Sequence, residues 1–247
     1  MLVGVFVAEA QNSPETSPKL PGMLLEPLKS PEAKMVLCVI LTENDGPQWF
    51  VFNADAWGQN ERLGSFDAAL MLITEMKASA DGQYLAVLSV GEGHPMLEVI
   101  DLPKLLQSKS YSVLQTIDPY PGVVNFQSWN GSQLQIDSDV LLTRRDPKTG
   151  RVPDEMTLST QETFALNVLT GVITGISEGA RNPIAYYTKV LMDQRASEAE
   201  KDKALSNLLT LNPDEQTIAY LLKALDQEKD PKRVLRLLEE IKKLRGK

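Results

Sequence analysis

The chain has 247 residues, 43% of them hydrophobic, enough to bury a core in one large domain or two small ones. Residues 1–180 hold 11 Lys/Arg against 22 Asp/Glu, while 181–247 hold 14 against 11, for a formal net charge of −8. An acidic body with a mildly basic tail lacks the basic stripe that phosphate neutralisation needs, so no nucleic-acid partner is expected.

The N-terminal "MLVGVFVAEAQ" has an apolar run, Leu2 to Val7, followed by Ala8-Glu9-Ala10, which fits a small-x-small cleavage pattern. The run is shorter than the roughly 7–15 residues of a signal h-region, and no positive n-region precedes it. It reads as the end of a clipped export signal or as a first β-strand. The polar, Pro/Ser/Thr-rich "QNSPETSPKLPG" that follows favours the signal, as a mature N-terminal linker would. Residues 1–21 are therefore expected to be a signal-like segment and linker. That places the protein in the periplasm or outside the cell, with the cytoplasm as the alternative. No later run approaches the roughly 18 apolar residues of a membrane span.

Residues 22–180 alternate with period two, and three segments share one pattern of strand, polar connection and strand. "KMVLCVILTENDGPQWFVFNADA" ends its second strand at Asn53, "YLAVLSVGEGHPMLEVIDL" ends at Asp101, and a longer segment from Leu134 ends at Asn167. Cys38, the single cysteine, lies in the first of these apolar runs and is expected to be buried and inert, and no intrachain disulfide is possible. "DPKTG" at Asp146 to Gly150 and Thr170-Gly171 carry turn chemistry. The end points are 48 and 66 residues apart, near the spacing of propeller blades if the longer interval contains an insertion. Three units are fewer than the roughly four to eight blades that close a propeller. A fourth blade from segments 22–30 and 60–76, an open stack of small sheets, and a β-sandwich all remain open, and Leu63 to Ser79 fits a short helix nearly as well as a strand.

"SADGQYLAVLSVGEGHPMLEVIDL", Ser79 to Leu102, resembles one blade of the TolB-type β-propeller repeat, in which a Ser-x-Asp-Gly turn leads into two hairpin strands. "SWNGSQLQI" from Ser128 is a weaker copy, with Asn130-Gly131 in place of Asp-Gly, and "FALNVLTG" is similar to the strand and turn that close a blade. The resemblance covers about 79–102 well and 128–171 loosely. It implies that "GEGHP" connects two blade strands and that His94, the chain's one histidine, is a hairpin residue. "GEGHP" also lacks the third glycine and the following helix of a dinucleotide loop.

From Asn182 the period changes to 3.6. Asn182-Pro183, Asn212-Pro213 and Asp230-Pro231 each pair a capping side chain with Pro at the first helical position, and Ser197 to Glu200 has capping-box spacing. Ile218, Leu221, Leu222 and Leu225 form one apolar face, and Val234, Leu237, Leu238, Ile241 and Leu244 another. Four such helices make two antiparallel pairs, an arrangement that resembles a short HEAT-like α-solenoid and equally fits a four-helix cap. The fold class expected is α+β: an antiparallel all-β part over 22–180, propeller-like or sandwich, then an all-α unit of helical hairpins over 181–247. A protease is expected to nick near Ser177–Arg181 or in the N-terminal "QNSPETSPK".

Chemical motifs are mostly absent. There is no G-x-S-x-G elbow, P-loop, H-E-x-x-H or paired Cys motif, so no catalytic residue, metal or cofactor is assigned. Asp137/Asp139 and Asp154/Glu155 are the carboxylate pairs on which a hydrolase or carbohydrate-binding alternative would rest. Trp49, Trp57 and Trp129 are candidate interface anchors as well as candidate core residues. The preferred function is a non-catalytic scaffold that binds another protein through β-loops and its helical tail. Lys232, Arg233, Arg236, Lys242 and Lys243 of the last helix are the candidate contacts, meeting acidic charge on the β-part or on the partner.

Overall fold

The computed structural model describes residues 23–28, 34–42, 46–53, 59–153, 156–211 and 215–245. The signal-like segment, Trp57, Asp154, Glu155 and the Asn212-Pro213 start lie outside them.

Each of the three repeated segments becomes the central pair of a four-stranded antiparallel sheet. The first sheet has β1 (Met23–Leu28), β2 (Met35–Thr42), β3 (Gly46–Asn53) and β4 (Asn60–Ser65), in that spatial order. The second has β5 (Leu72–Ala78), β6 (Tyr84–Gly91), β7 (His94–Asp101) and β8 (Val113–Ile117). The third has β9 (Val124–Asn130), β10 (Gln133–Val140), β11 (Thr157–Asn167) and β12 (Ile173–Gly175). Segments 22–30 and 60–76 thus build no fourth blade. They supply the outer members β1 and β4 and the first strand of the next sheet, where one exposed face and few apolar residues weaken the period-two signal.

The result is α+β, with consecutive meander sheets stacked face to face in the manner of propeller blades. The period of two explains the stacking. Leu85, Val87 and Ile100 of the second sheet share a core with Leu37, Val39 and Trp49 of the first. Their neighbours Ala86, Leu88, Leu97 and Val99 point the other way, into a core with Leu134, Ile136 and Phe164 of the third. Trp49 donates its indole N–H to the Phe66 carbonyl at 3.2 Å, and Trp129 donates to the Lys77 carbonyl at 2.8 Å. Trp49 is fully buried in the core, and half-buried Trp129 packs against the second core. Cys38 is fully buried, and burial pushes its thiol up to about 12, so it is inert.

Turns sit where local chemistry supplies them. The Ser79 hydroxyl donates to Asp81 at 2.6 Å and accepts the Tyr84 N–H at 2.9 Å, which closes the Ser-x-Asp-Gly turn around Gly82 at φ 68°. Between β7 and β8, α1 (Leu102–Ser108) starts from an Asp101 cap with Pro103 in its first turn, and Leu102 and Leu105 enter the first core. On the outer side, buried Arg145 donates to the carbonyls of Thr116 (2.5 Å) and Gly171 (2.8 Å), which ties the second sheet to the third.

Five helices follow: α2 (Glu178–Arg181), α3 (Pro183–Met192), α4 (Glu198–Thr210), α5 (Glu215–Gln227) and α6 (Pro231–Arg245). Asn182 accepts the Ala185 N–H, and both halves of the Ser197/Glu200 capping box are made. Their core, Tyr187, Leu191, Leu205, Leu208, Leu221, Leu237 and Ile241, also takes in Leu158 of β11. A polar latch holds the junction. Glu162 accepts hydrogen bonds from Tyr187 (2.9 Å) and Ser177 (2.5 Å), and the Asn207 side chain accepts the Ser159 N–H at 2.7 Å. Burial holds the Tyr187 phenol above its ordinary range. Gly179 lies so close to the Glu162 carboxylate that any side chain there would collide with it. Gly179 and Ala180 are buried, while Glu178 and Arg181 on either side of them are exposed.

One carboxylate joins the first two sheets. Glu26 on β1 accepts the Ala78 N–H of β5 at 2.9 Å. Burial pushes its pKa from 4.5 to about 7, against the opposing pull of the Ala78 N–H and Lys77, and burial raises neighbouring Glu75 as well. The folded state therefore holds a proton on Glu26 that the unfolded chain releases above 4.5, so stability falls as pH rises through about 7. Denaturation from about pH 5 to about pH 8 is expected to show a loss of about 1–3 kcal/mol that Glu26→Gln largely removes. An unchanged profile in that variant would contradict the assignment.

Candidate functional site

In a stack of meanders, the hairpin between the second and third strands shares an end with the link from each outermost strand to the next sheet. Loops 66–71, 92–93 and 118–123 meet at that end. Glu92 (φ 51°) and Gly93 (φ 88°) make a two-residue turn with both φ positive, the type that matches strand twist. His94 and Pro95 already belong to β7, paired with Gly91 and Val90. The loop in "GEGHP" is thus two residues long, and His94 stands on its strand edge.

Leu70 packs against Gly91, and the next residue, Met71, is 90% exposed. The His94 ring meets Tyr120 edge-on with centroids 5.1 Å apart, and its Nε2 lies 3.9 Å from an Asp118 carboxylate oxygen. Tyr120 is 46% exposed. Its loop is held from below: Asp118 accepts the Tyr120 N–H at 3.1 Å, Pro119 accepts the Gly122 N–H at 2.8 Å, and Asp139 accepts the Val123 N–H at 2.6 Å. The accessible side chains include a methionine, an imidazole and a phenol, with Asp67 and Glu92 exposed in the same loops. A triad needs a nucleophile as well as a histidine and a carboxylate, and the contacts of His94 here are Tyr120 and Asp118.

The carboxylate pair Asp137/Asp139 does not converge on a substrate position. Asp137 accepts from Thr163 (2.7 Å) and Gln127 (2.6 Å), while Asp139 is occupied by the Val123 N–H. Among the described residues no group of three His, Cys, Asp or Glu side chains could hold a metal ion.

The five basic candidates on α6 divide. Lys232, Arg236, Lys242 and Lys243 are exposed, with Lys243 paired to Glu240 at 2.7 Å. Arg233 is a correction: only 4% exposed, it lies inside the helical unit. It donates to Glu228 at 2.8 Å and to Glu198, and lies near Asp202 (3.5 Å) and Asp230 (3.7 Å). Arg233 holds the Glu228 carboxyl down to about 2 and is itself held above its ordinary range. Its charge is satisfied within the chain. Leu238, counted with the core face, is 46% exposed, whereas Leu237 is fully buried.

Sequence reasoning passed over Tyr120, Asp118 and Met71. "DPYPG" carried the one available signal, an aromatic residue between two prolines in a turn.

No protein-family model matches the chain, and no curated protein matches it either. Solved structures similar to part of it include the following two. A crystal structure of TolB from Acinetobacter baumannii is 16% identical with a TM-score of 0.38, over 64% of this chain and 33% of TolB. The AtxE2 isopeptidase in its apo state is 14% identical with a TM-score of 0.40, over 64% of this chain and 29% of its own. The chain spans about a third of the length of these matches. At such scores the likeness carries no argument, and the propeller-like description rests on sheet order and stacking alone. Among the described residues no helix is long and apolar enough to cross a membrane.

Two substitutions separate the faces of α6. Leu237→Ala is expected to cost about 2–5 kcal/mol and Leu238→Ala under about 1 kcal/mol in equilibrium unfolding. Arg233→Ala, which strands the buried Glu228 carboxylate, is expected to cost about 3 kcal/mol. Reversing exposed Lys232 and Arg236 should leave the midpoint nearly unchanged. The opposite ordering would contradict this assignment.

Proposed function

We propose that the protein is a non-catalytic interaction module that presents the Met71, His94 and Tyr120 loop surface on a rigid stack of sheets, with the exposed face of its helical tail as a further contact. One observation carries the reading. Met71 and Tyr120 are exposed in loops that hydrogen bonds to the sheets pin beside them, the Ala69 and Leu70 N–H to Glu98 and Ser89 in one and the Val123 N–H to Asp139 in the other, so a partner would meet them already ordered. Aromatic residues and methionine are enriched at interface centres, and preorganised contacts lose little entropy on binding. The buried polar groups give catalysis no support. Glu162, Glu98, Arg145, Arg233 and Asn207 each have hydrogen-bond partners within the fold.

The chain divides in composition into a β-part over 22–180 and a helical part over 181–247, which dock through the Glu162 latch into one scaffold. The "VFVAEAQ" segment supports export, so the partner would be met in the periplasm or outside the cell.

A photo-crosslinking residue in place of Tyr120 or Met71 tests the reading in the native compartment, with Asn125 on the third sheet as control. The expected result is a discrete crosslinked protein from the loop positions and none from Asn125. Tyr120→Ala should then weaken that complex about tenfold or more, as an interface-centre residue does, with stability changed by under about 1 kcal/mol. No crosslink from either loop position, or turnover of a substrate that Tyr120→Ala abolishes, would overturn it.

A further inference from the structure

Helix α6 has a second apolar stripe that the helical core does not use. At about 100° per residue, Arg233, Leu237 and Ile241 fall in one arc of about 80°, and Leu235 lies on the opposite side. Leu235 is 62% exposed and Leu238, at the edge of the stripe, 46%. Lys232, Arg236 and Lys243 run along one border and Lys242 falls between the two leucines. Among the described residues, no carboxylate forms an ion pair with Lys232, Arg236 or Lys242. A single exposed leucine needs no explanation. Two of them one turn apart, framed by unpaired cations, are not accounted for by the fold.

We infer that this face docks an acidic amphipathic helix of a partner protein. The inference rests on the interaction reading of the tail and is independent of the loop surface. Charge complementarity selects the partner, because three free cations around an apolar pair match Asp and Glu beside leucine-like residues. Leu235 and Leu238 are about 4.5 Å apart along the axis, which suits apolar side chains at i and i+3 or i+4 on the incoming helix. Glu239 selects between protein and lipid. Around the helix it lies between Leu235 and Lys232, inside the apolar edge of the basic border, where an anionic bilayer would repel it and a protein helix can oppose it with a cation. The chain's own sheets are not the occupant, since α6 packs through Leu237 and Ile241 into the helical core and forms no ion pair with a sheet residue among those described.

The full chain can be panned against displayed helical peptides of unbiased charge, and the selected peptides titrated by fluorescence anisotropy. Vesicles with and without anionic lipid, and sedimentation of the protein alone, serve as the other arms. The expected peptides are acidic with apolar residues at i and i+3 or i+4. Leu235→Asp with Leu238→Asp should weaken their binding at least tenfold at unchanged unfolding temperature. Lys232→Glu with Arg236→Glu should do the same and flatten the salt dependence. Should the double leucine variant not fold, Leu235→Ser at the more exposed position should still weaken binding several-fold. Tyr120→Ala should change nothing here, so failure of the loop reading and failure of this one are distinguishable. Peptides without acidic character, binding indifferent to the α6 variants, vesicle binding lost in those variants, or self-association through α6 would each overturn the proposal.

Discussion

Burial of the second sheet on both faces is the constraint on which the rest of the structure depends. A strand turns successive side chains to opposite faces, so β6 can be apolar at every position from Leu85 to Leu88 only if both faces are covered. The first sheet covers Leu85 and Val87, and the third covers Ala86 and Leu88. With its faces committed, the second sheet has only its ends and edges left for contact with a partner. The His94 position follows from this, because register pairs it with Gly91 at the mouth of a two-residue turn and directs its ring to Tyr120.

The two ends of the stack are finished differently. The third sheet turns a polar face outward, where Asp137 joins Gln127 to Thr163, and the helical unit docks through Leu158 and the Glu162 latch. A polar outer face is how stacked repeats terminate. The face of the first sheet opposite its core is apolar, with Phe50 and Phe52 beside each other and across from Cys38 and Val36. The stack is therefore polar in direction, and the helical unit belongs to its finished end.

Much of this was legible in the sequence, and the exceptions have physical causes. Period-two alternation marked the central strands of all three sheets, because those strands are buried on at least one face. The edges were not legible: β4 buries only Leu63 among its six residues, too little for a period to show. Helix α1 was missed although Asp101-Leu102-Pro103 uses the same cap-and-proline grammar that marked the tail, because the apolar run of β7 continues straight into Leu102. On α6, hydropathy placed Leu238 in the core and Arg233 on the surface, and packing reversed them. An arginine is buried when carboxylates converge on it, and Glu198 and Asp202 of α4 join Glu228 around Arg233 only through the fold. The Tyr120 surface was hidden for a related reason, since His94, the ring it meets, lies on β7 and is brought to it only by the fold.

Native-state hydrogen exchange tests the central claim most directly. If the doubly covered second sheet organises the protein, amides of β6 and β7 should exchange only through global unfolding, while β4, β12 and the outer turns of α6 exchange through smaller openings. Protection should fall from the second sheet toward both ends of the stack. Amides of β6 and β7 that exchange as readily as those of β4 and β12 would contradict the account, because the sheets would then open independently and the loop surface would have no fixed platform.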